Sequence, residues 1–451
     1  LGIVIKGRGS ARGLALQVLL AVDGEGAYAG IALDMSLTAS ELDKRDKALA
    51  TELVNGVLRR QIMLDYILNR FIKKSVEALP LAIAEILRLS LYQLVYLQKI
   101  PASAAVNEGV KLAKQYGHQG TVALVNGVLR NYLRQKEQII FPDKQTAPAE
   151  YLSVYYSLPS WIVKLLLEQW SFDDAEQFCA YQAESHKLKI RVNTLKTSRY
   201  ELEQKLLAAG YIAEPCHYAP DGLELASGAG LFEDDLFKSG YLTMQDEASQ
   251  LAALALLPNK GSKVIDLCAA PGGKATYLAQ LMGNQGQIIA CDLYPHRVEL
   301  INENCSRLGT TCVKSLLADG LDLPHTYTNW ADYLLLDTPC SGLGVLSRRA
   351  DSRLRKQEND VAELAGLSYQ LLLASADYLN FGGIMLYSTC TVTKAENEDN
   401  ITRFLSERDD YELIDFPETF PMVQDRRGIL QILPQKQGLE GFFIARLRRK
   451  V

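Results

Sequence analysis

The sequence predicts a multidomain chain in three parts. They are an all-helical N-terminal domain (residues 1–141), a linker with a small α+β subdomain (142–248), and a C-terminal α/β domain on a mostly parallel sheet (249–451). Three observations predict this. At 451 residues the chain exceeds what one hydrophobic core ordinarily holds. Apolar residues recur at three- and four-residue spacing through the first part, the period of a helix with one buried face. From about residue 249, short apolar runs alternate with helical segments, as in βαβ units.

In the first part the helical spacing covers Gly13–Val22, Ala48–Leu58, Met63–Ile72, Ile83–Leu97, Ala105–Tyr116 and Val122–Leu133. Breaks fall at Gly24-Glu25-Gly26, Pro80, Pro101 and Gly117. The segment Leu81–Leu97 is strongly apolar, but Glu85 and Arg88 within it point to a core helix and not a membrane span. VNGVLR occurs twice, at 54–59 and 125–130. A glycine inside a helix costs about 1 kcal/mol against alanine, so each should mark a close helix–helix approach.

Residues 141–165 read as a linker, with two prolines in FPDKQTAPAE and then a helix restarting near Trp161 with Ser160 as its expected cap. Between 185 and 245, LKIRVNT, a helix at Arg199–Ala209, GLELAS and GYLTMQD alternate as a small α+β unit. The runs KVIDLCA, QIIACDL, DYLLLDT, GIMLYST and GFFIARL then read as strands buried on both faces.

Composition narrows the function. Residues 1–140 hold 18 Lys+Arg against 12 Asp+Glu, or +6, leaving 48−18=30 against 53−12=41, or −11, for the rest. A basic first domain on an acidic body suits a nucleic-acid-docking module on an enzyme, and equally a solvated helical surface. The eight cysteines include no C-x-x-C pair, so neither zinc nor a disulfide framework is expected. The start, LGIVIKGRGS, lacks the apolar core and cleavage site of a signal peptide; a cytoplasmic protein is expected, without membrane attachment. No self-association surface is legible, so a monomer is expected.

In an open α/β sheet, ligands bind beyond the carboxyl ends of the strands. After KVIDL comes Cys268-Ala269-Ala270-Pro271-Gly272-Gly273-Lys274, small residues that let backbone approach a ligand at a helix N-terminus. Neither G-x-G-x-x-G nor the Walker pattern is present. Asp292, 19 residues beyond Gly273, could bind ribose hydroxyls, and Asp319 is a third candidate. Either Asp alone could equally be a helix cap; the turn and the two Asp at three successive strand ends favour a nucleoside pocket. Cys340 in DTPCSG and Cys390 in STC stand past two further apolar runs, where a thiolate could serve as a nucleophile. Either alone would read as a buried structural thiol.

CAAPGGK, DTPCSG and YSTCTVTKAENE, with RVNTLK, MQDEASQ and GFFIARLRR, resemble the motifs of the Sun family of RNA 5-methylcytosine methyltransferases. IPASAAVNEGVKLAK and the VNGVLR segments resemble a NusB-type helical domain. The resemblance implies a Rossmann-like domain that uses S-adenosylmethionine, and RNA, specifically 16S ribosomal RNA, as partner. It assigns Cys268–Lys274, Asp292, Asp319 and Asp337 to the cofactor, Cys390 to the nucleophile, and Cys340 to product release. The chain departs from the pattern at Thr338, where alanine is usual, and at Glu440, where aspartate is common. SRRADSRLRK (347–356) lacks the usual Pro and Trp, so its basic residues are expected only as RNA contacts.

This chemistry is physically coherent. Carbon 5 of cytosine is a poor nucleophile until a thiolate adds at carbon 6, and a donor near ring N3, for which a protonated Asp337 is the candidate, would stabilise the adduct. Competing readings are methylation of transfer RNA, a nicotinamide-dependent oxidoreductase, and a non-catalytic RNA-binding factor. The oxidoreductase accounts for Asp292 but for neither cysteine.

Overall fold

A computed structural model describes residues 9–228 and 230–451 of the chain. The reading of the first residues as no leader falls on positions 1–8, outside the described residues. The chain divides into two compact units: one runs to Ser185 and takes in Leu346–Lys356, and the other holds His186–Val345 and Gln357–Val451.

The first unit is helical, with helices Ala11–Glu25, Ala29–Thr38, Lys44–Leu68, Leu81–Tyr96, Ala102–Tyr116 and Gln119–Gln135 followed by Pro148–Tyr156, Ser160–Gln169 and Phe172–Gln182. Ser10 caps the first by accepting from the Gly13 amide, and Gly26, at φ 71°, ends it. Leu16, Leu53, Val57, Leu87 and Leu129 share its core. Three expectations need correction. Ala48–Leu58 and the first part of Met63–Ile72 belong to one helix, Lys44–Leu68, since nothing between them breaks the hydrogen-bond ladder, and it ends before Ile72. Gly56 does mark a close approach, for a Cβ there would lie 2.0 Å from the Tyr92 ring, but Gly127 faces open space. Ser160 is the first helical residue and makes no cap bond.

Leu81–Tyr96 is a core helix, and its two charges are buried together. Arg88 donates to both carboxylate oxygens of Asp65, at 2.7 and 2.8 Å, and also bonds Glu85 and Asp23. Helix Ala29–Thr38 is absent from the sequence reading because Ile31 and Met35 are exposed and its apolar stripe is weak. Its N-terminus has no local side-chain cap; the Ala29 amide donates instead to Asp351, 3.0 Å away and 322 residues on.

Leu346–Lys356 therefore completes the helical unit. Arg353 is fully buried, and its guanidinium donates to four main-chain carbonyls: Arg59 (3.1 Å), Ser157 (3.3 Å), Gln182 (2.7 Å) and Leu346 (3.0 Å). Ser157 and Gln182 stand at the C-terminal ends of two helices, where unpaired carbonyls favour a cation. Arg355 does the same for Val22, Gly26 and Ala27 at the end of the first helix. The expectation that the basic residues of this segment serve only as RNA contacts is thus incorrect for Arg353 and Arg355, which hold main-chain carbonyls of the helical unit.

The second unit holds two sheets. The smaller is antiparallel, in the order β2-β3-β1-β4, with β1 Leu188–Val192, β2 Ala213–Pro215, β3 Gly222–Leu225 and β4 Leu242–Met244. The larger has β5 Lys263–Asp266, β6 Gln287–Asp292, β7 Val313–Leu317, β8 Ala331–Asp337, β9 Leu379–Thr389, β10 Tyr411–Leu413, β11 Ile429–Ile432 and β12 Phe442–Arg449. Its order is β10-β12-β9-β8-β5-β6-β7, with β11 on β12. The pairs among β5 to β9 are parallel and those of β12 antiparallel, so the sheet is mostly parallel as the sequence predicts. The chain leaves β5 toward β6 and β7 on one side and returns to β8 and β9 on the other. That reversal opens a crevice at the carboxyl ends of β5 and β8. Separate apolar clusters cover the two faces, one with helices Glu247–Leu256 and Gly273–Leu281, the other with Glu358–Ala376. Among the described residues no helix is long and apolar enough to cross a membrane.

Candidate active site

The turn after β5 is built for close backbone approach. Gly272 has φ 96°, open to glycine alone without strain, and the Ala270–Pro271 peptide is cis. The Ala269 amide donates to the Cys291 carbonyl (2.9 Å), tying the turn to β6. Helix Gly273–Leu281 starts there with its first amides free of a side-chain cap.

Arg191 supports this turn from the small sheet, a role the sequence motif did not disclose. Its buried guanidinium donates to the Gly273 carbonyl (2.6 Å), the Thr276 hydroxyl (3.0 Å) and the Gln245 side chain, and lies over the Tyr277 ring. Burial lowers its pKa to about 10. The motifs RVNTLK and MQDEASQ thus meet at CAAPGGK.

Asp292, at the end of β6, is buried; its carboxylate accepts from the amides of Ala270 and Tyr294, both at 3.3 Å, and pairs with Arg297 at 3.4 Å. Asp319 lies two residues past β7, exposed, with its carboxylate accepting from the Leu321 amide (2.9 Å). The neighbouring Ala318 amide donates to the Asp292 carbonyl at 3.2 Å, so the two strand ends adjoin. Cys268 is desolvated, and burial raises its thiol well above the ordinary range.

Asp266, the last residue of β5, lies within the apolar run itself and so outside the positions past strand ends from which the sequence points to a site. It is 1% exposed, and neither of its carboxyl oxygens meets a donor among the described residues. Burial first, then Asp337, pushes its pKa up to about 8. Leaving a buried carboxyl without partners is costly, and the usual explanation is a ligand group that supplies them. The available signal was an acidic residue inside an otherwise apolar strand.

The two cysteine loops adjoin because β8 and β9 are parallel neighbours with Asp337 opposite Ser388. The sulfurs of Cys340 and Cys390 are 3.2 Å apart, within hydrogen-bond distance. The bond to Cys390, then burial, raises the Cys340 thiol well above the ordinary cysteine range. Beside them Asp337 accepts from Lys274 Nζ at 2.6 Å and from the Ser388 hydroxyl at 2.8 Å. Burial alone would lower the Lys274 ammonium; Asp337, then Asp266 and Cys390, outweigh it and hold it above the ordinary lysine range. The structure therefore gathers Cys340, Cys390, Asp337 and Lys274 at one place.

The departures from the family pattern are accommodated. The Thr338 hydroxyl is buried and bonds Ser368 at 2.9 Å. Glu440 is buried at the start of the last strand, next to Gly441, whose amide donates to the Gly344 carbonyl at 2.9 Å. Gly344 in turn donates to the Cys390 carbonyl at 3.0 Å.

Comparisons with known proteins agree with this architecture. The model of the family described as 16S rRNA methyltransferase RsmB/F matches residues 253–448, that of the NusB family 9–134, and that of an RsmF/B-like ferredoxin-like domain 158–231. A Bacillus subtilis relative, "Probable ribosomal RNA small subunit methyltransferase B", is 38% identical over 448 residues, covering 98% of this chain and 99% of the relative. The crystal structure of PH0851 shares the fold with TM-score 0.83 at 25% identity, over 97% of this chain and 99% of that one. The structure of NSun6 from Pyrococcus horikoshii with SFG gives 0.59 at 25% identity, over 64% of this chain and 98% of that one. The NusB-like helical domain, the small α/β subdomain and the methyltransferase sheet expected from the sequence are all present.

Proposed function

Because the chain belongs to the ribosomal RNA small subunit methyltransferase B family, we propose that it uses S-adenosylmethionine to methylate carbon 5 of a cytosine in 16S ribosomal RNA, through a Cys390–carbon 6 adduct. The observation that carries this reading is the pair of sulfurs 3.2 Å apart beside the Lys274–Asp337 ion pair.

The residues at the first strand ends fit the cofactor. Asp266, buried and without donors among the described residues, suits its ammonium, Asp292 suits ribose hydroxyls, and the turn at Gly272 admits it closely. Bound there, it supplies an electrophilic methyl group. The NSun6 structure holds SFG, an S-adenosylmethionine analogue, which supports the same assignment.

The chain's own groups do the rest. Cys390 attacks carbon 6 as the thiolate, and carbon 5 becomes nucleophilic as the ring loses aromaticity. Lys274 and Asp337 together hold a proton where ring N3 needs a donor; the ion pair favours delivery by this couple over a lone protonated Asp337. After methylation a water molecule takes the carbon 5 proton, the electron pair left behind re-forms the carbon 5–carbon 6 double bond, and the sulfur–carbon bond breaks to release Cys390 as the thiolate. Cys340, its proton retained, sits where it can assist that departure. The assignment of Cys390 as the attacking sulfur rests on the YSTC motif it occupies. The target base must be unpaired or flipped to reach the thiols.

Cys390→Ala should abolish methylation and adduct alike, while Cys340→Ala should accumulate a protein–RNA adduct stable in denaturing electrophoresis. An adduct in the Cys390→Ala protein would reverse the two roles. Bisulfite mapping of ribosomal and transfer RNA from a deletion strain tests the substrate; an unchanged 16S profile would exclude it.

A further inference from the structure

Glu396 stands six residues past Cys390, has no part in the scheme above, and is fully buried. Its carboxylate accepts from the Ser341 amide (2.6 Å), the Ser341 hydroxyl (2.6 Å) and the Thr393 hydroxyl (2.7 Å). The Ser341 hydroxyl also meets that of Thr391 at 2.7 Å. Ser341 adjoins Cys340 and Thr391 adjoins Cys390, so the carboxylate, through the Ser341 hydroxyl, joins the two loops at the residues next to both sulfurs. The Tyr387 hydroxyl, donating to the Glu396 carbonyl at 2.5 Å, fixes it from β9.

Both loops have further anchors besides this carboxylate. The Cys390 loop has other anchors: the Thr389 hydroxyl donates to the Asn397 side chain (2.6 Å), the Asn397 amide group to the Thr391 carbonyl (3.2 Å), and Gly344 to the Cys390 carbonyl (3.0 Å). The Ser341 amide and hydroxyl are spent on Glu396 and Thr391. The Cys340 loop is held at its start, where the Ser368 hydroxyl meets that of Thr338 (2.9 Å) and donates to the Pro339 carbonyl (3.0 Å), but hydrogen bonds to a carboxylate are short and strong, so Ser341 itself takes its position from Glu396.

We propose that Glu396 is a positioning residue for product release, holding Cys340 against Cys390 without touching substrate or cofactor. The inference rests on the two-thiol reading. Loosening the Cys340 loop should leave addition by Cys390 largely intact and slow the breaking of the sulfur–carbon bond, since misplacing a reacting group by about 1 Å can cost up to 100-fold.

The test compares the full-length wild type with Glu396→Gln, Glu396→Ala and Cys340→Ala on 16S ribosomal RNA with labelled methyl donor. Turnover, KM for RNA, adduct on denaturing gels and S-adenosylmethionine affinity are measured. Glu396→Gln keeps the shape and one acceptor for the Ser341 amide. It should lower kcat roughly 10-fold, leave KM and cofactor affinity within about twofold, and accumulate adduct to a level between wild type and Cys340→Ala. Glu396→Ala should lie closer to Cys340→Ala. Wild-type turnover in Glu396→Gln would overturn the inference, as would loss of methylation with no adduct or with lost cofactor binding. If Cys340→Ala itself accumulates no adduct, the two-thiol reading falls; if it does and Glu396→Gln does not, only the role of Glu396 falls.

Discussion

Replacing Asp266 by Asn should stabilise the ligand-free protein at neutral pH while weakening its hold on S-adenosylmethionine. Asp266 is 1% exposed and its carboxyl oxygens meet no donor among the described residues. Burial, then Asp337, moves its pKa from 3.8 to about 8. A carboxyl raised on folding contributes fully to stability below its unfolded pKa, and that contribution is lost as pH rises through the folded value. Between 3.8 and pH 7 lie about three units, or about 4 kcal/mol. Asn does not titrate, but burying its amide without partners costs about 1–3 kcal/mol. The net gain at pH 7 is therefore about 1–3 kcal/mol, growing toward pH 8 and vanishing near pH 5. Calorimetric melting of both proteins from pH 5 to 9 reads this as a Tm difference of several degrees that widens with pH. Titration calorimetry reads the other half. An ammonium beside Asp266 favours the carboxylate, so at pH 7 wild-type binding should release up to one proton, visible as a buffer-dependent enthalpy. Asp266→Asn should lose that release and bind about 10- to 100-fold more weakly. Parallel melting curves across the range, or unchanged cofactor affinity in the variant, would refute the reasoning.

Three further outcomes follow from other contacts. Arg191→Met removes donors from Gln245, Gly273 and Thr276; at about 1 kcal/mol each, the variant should lose about 3 kcal/mol of stability and bind S-adenosylmethionine more weakly, as melting and titration calorimetry would register. Gly344→Ala would set a Cβ 2.0 Å from the Gly441 carbonyl oxygen, where main chain cannot yield, so a cost of about 1–3 kcal/mol and a turnover at least 10-fold lower are expected in melting and methyl-transfer assays. Arg353→Met should speed hydrogen exchange at the helix ends near Ser157 and Gln182 and leave cofactor affinity unchanged. Weaker RNA binding with unaltered exchange would restore an RNA-contact role for Arg353.

What could be read in advance from the sequence was local. Cys268–Lys274, Cys340 and Cys390 were identifiable as strand-end residues because an apolar run and the turn that ends it are neighbours in sequence. Family resemblance then separated the thiols by role. The sequence alone determined the all-helical first part, the βαβ alternation and the residues that emerge at each strand end, for those follow from periods of a few residues. The tertiary structure alone decided which ends adjoin. Parallel pairing of β8 with β9 turns two distant cysteines into sulfurs 3.2 Å apart. Folding leaves Asp266 without donors among the described residues and closes Arg353 over main-chain carbonyls up to 294 residues away. An aspartate or arginine has the same local signature whether solvated or buried; its partners are chosen by long-range packing, which no short window of sequence contains.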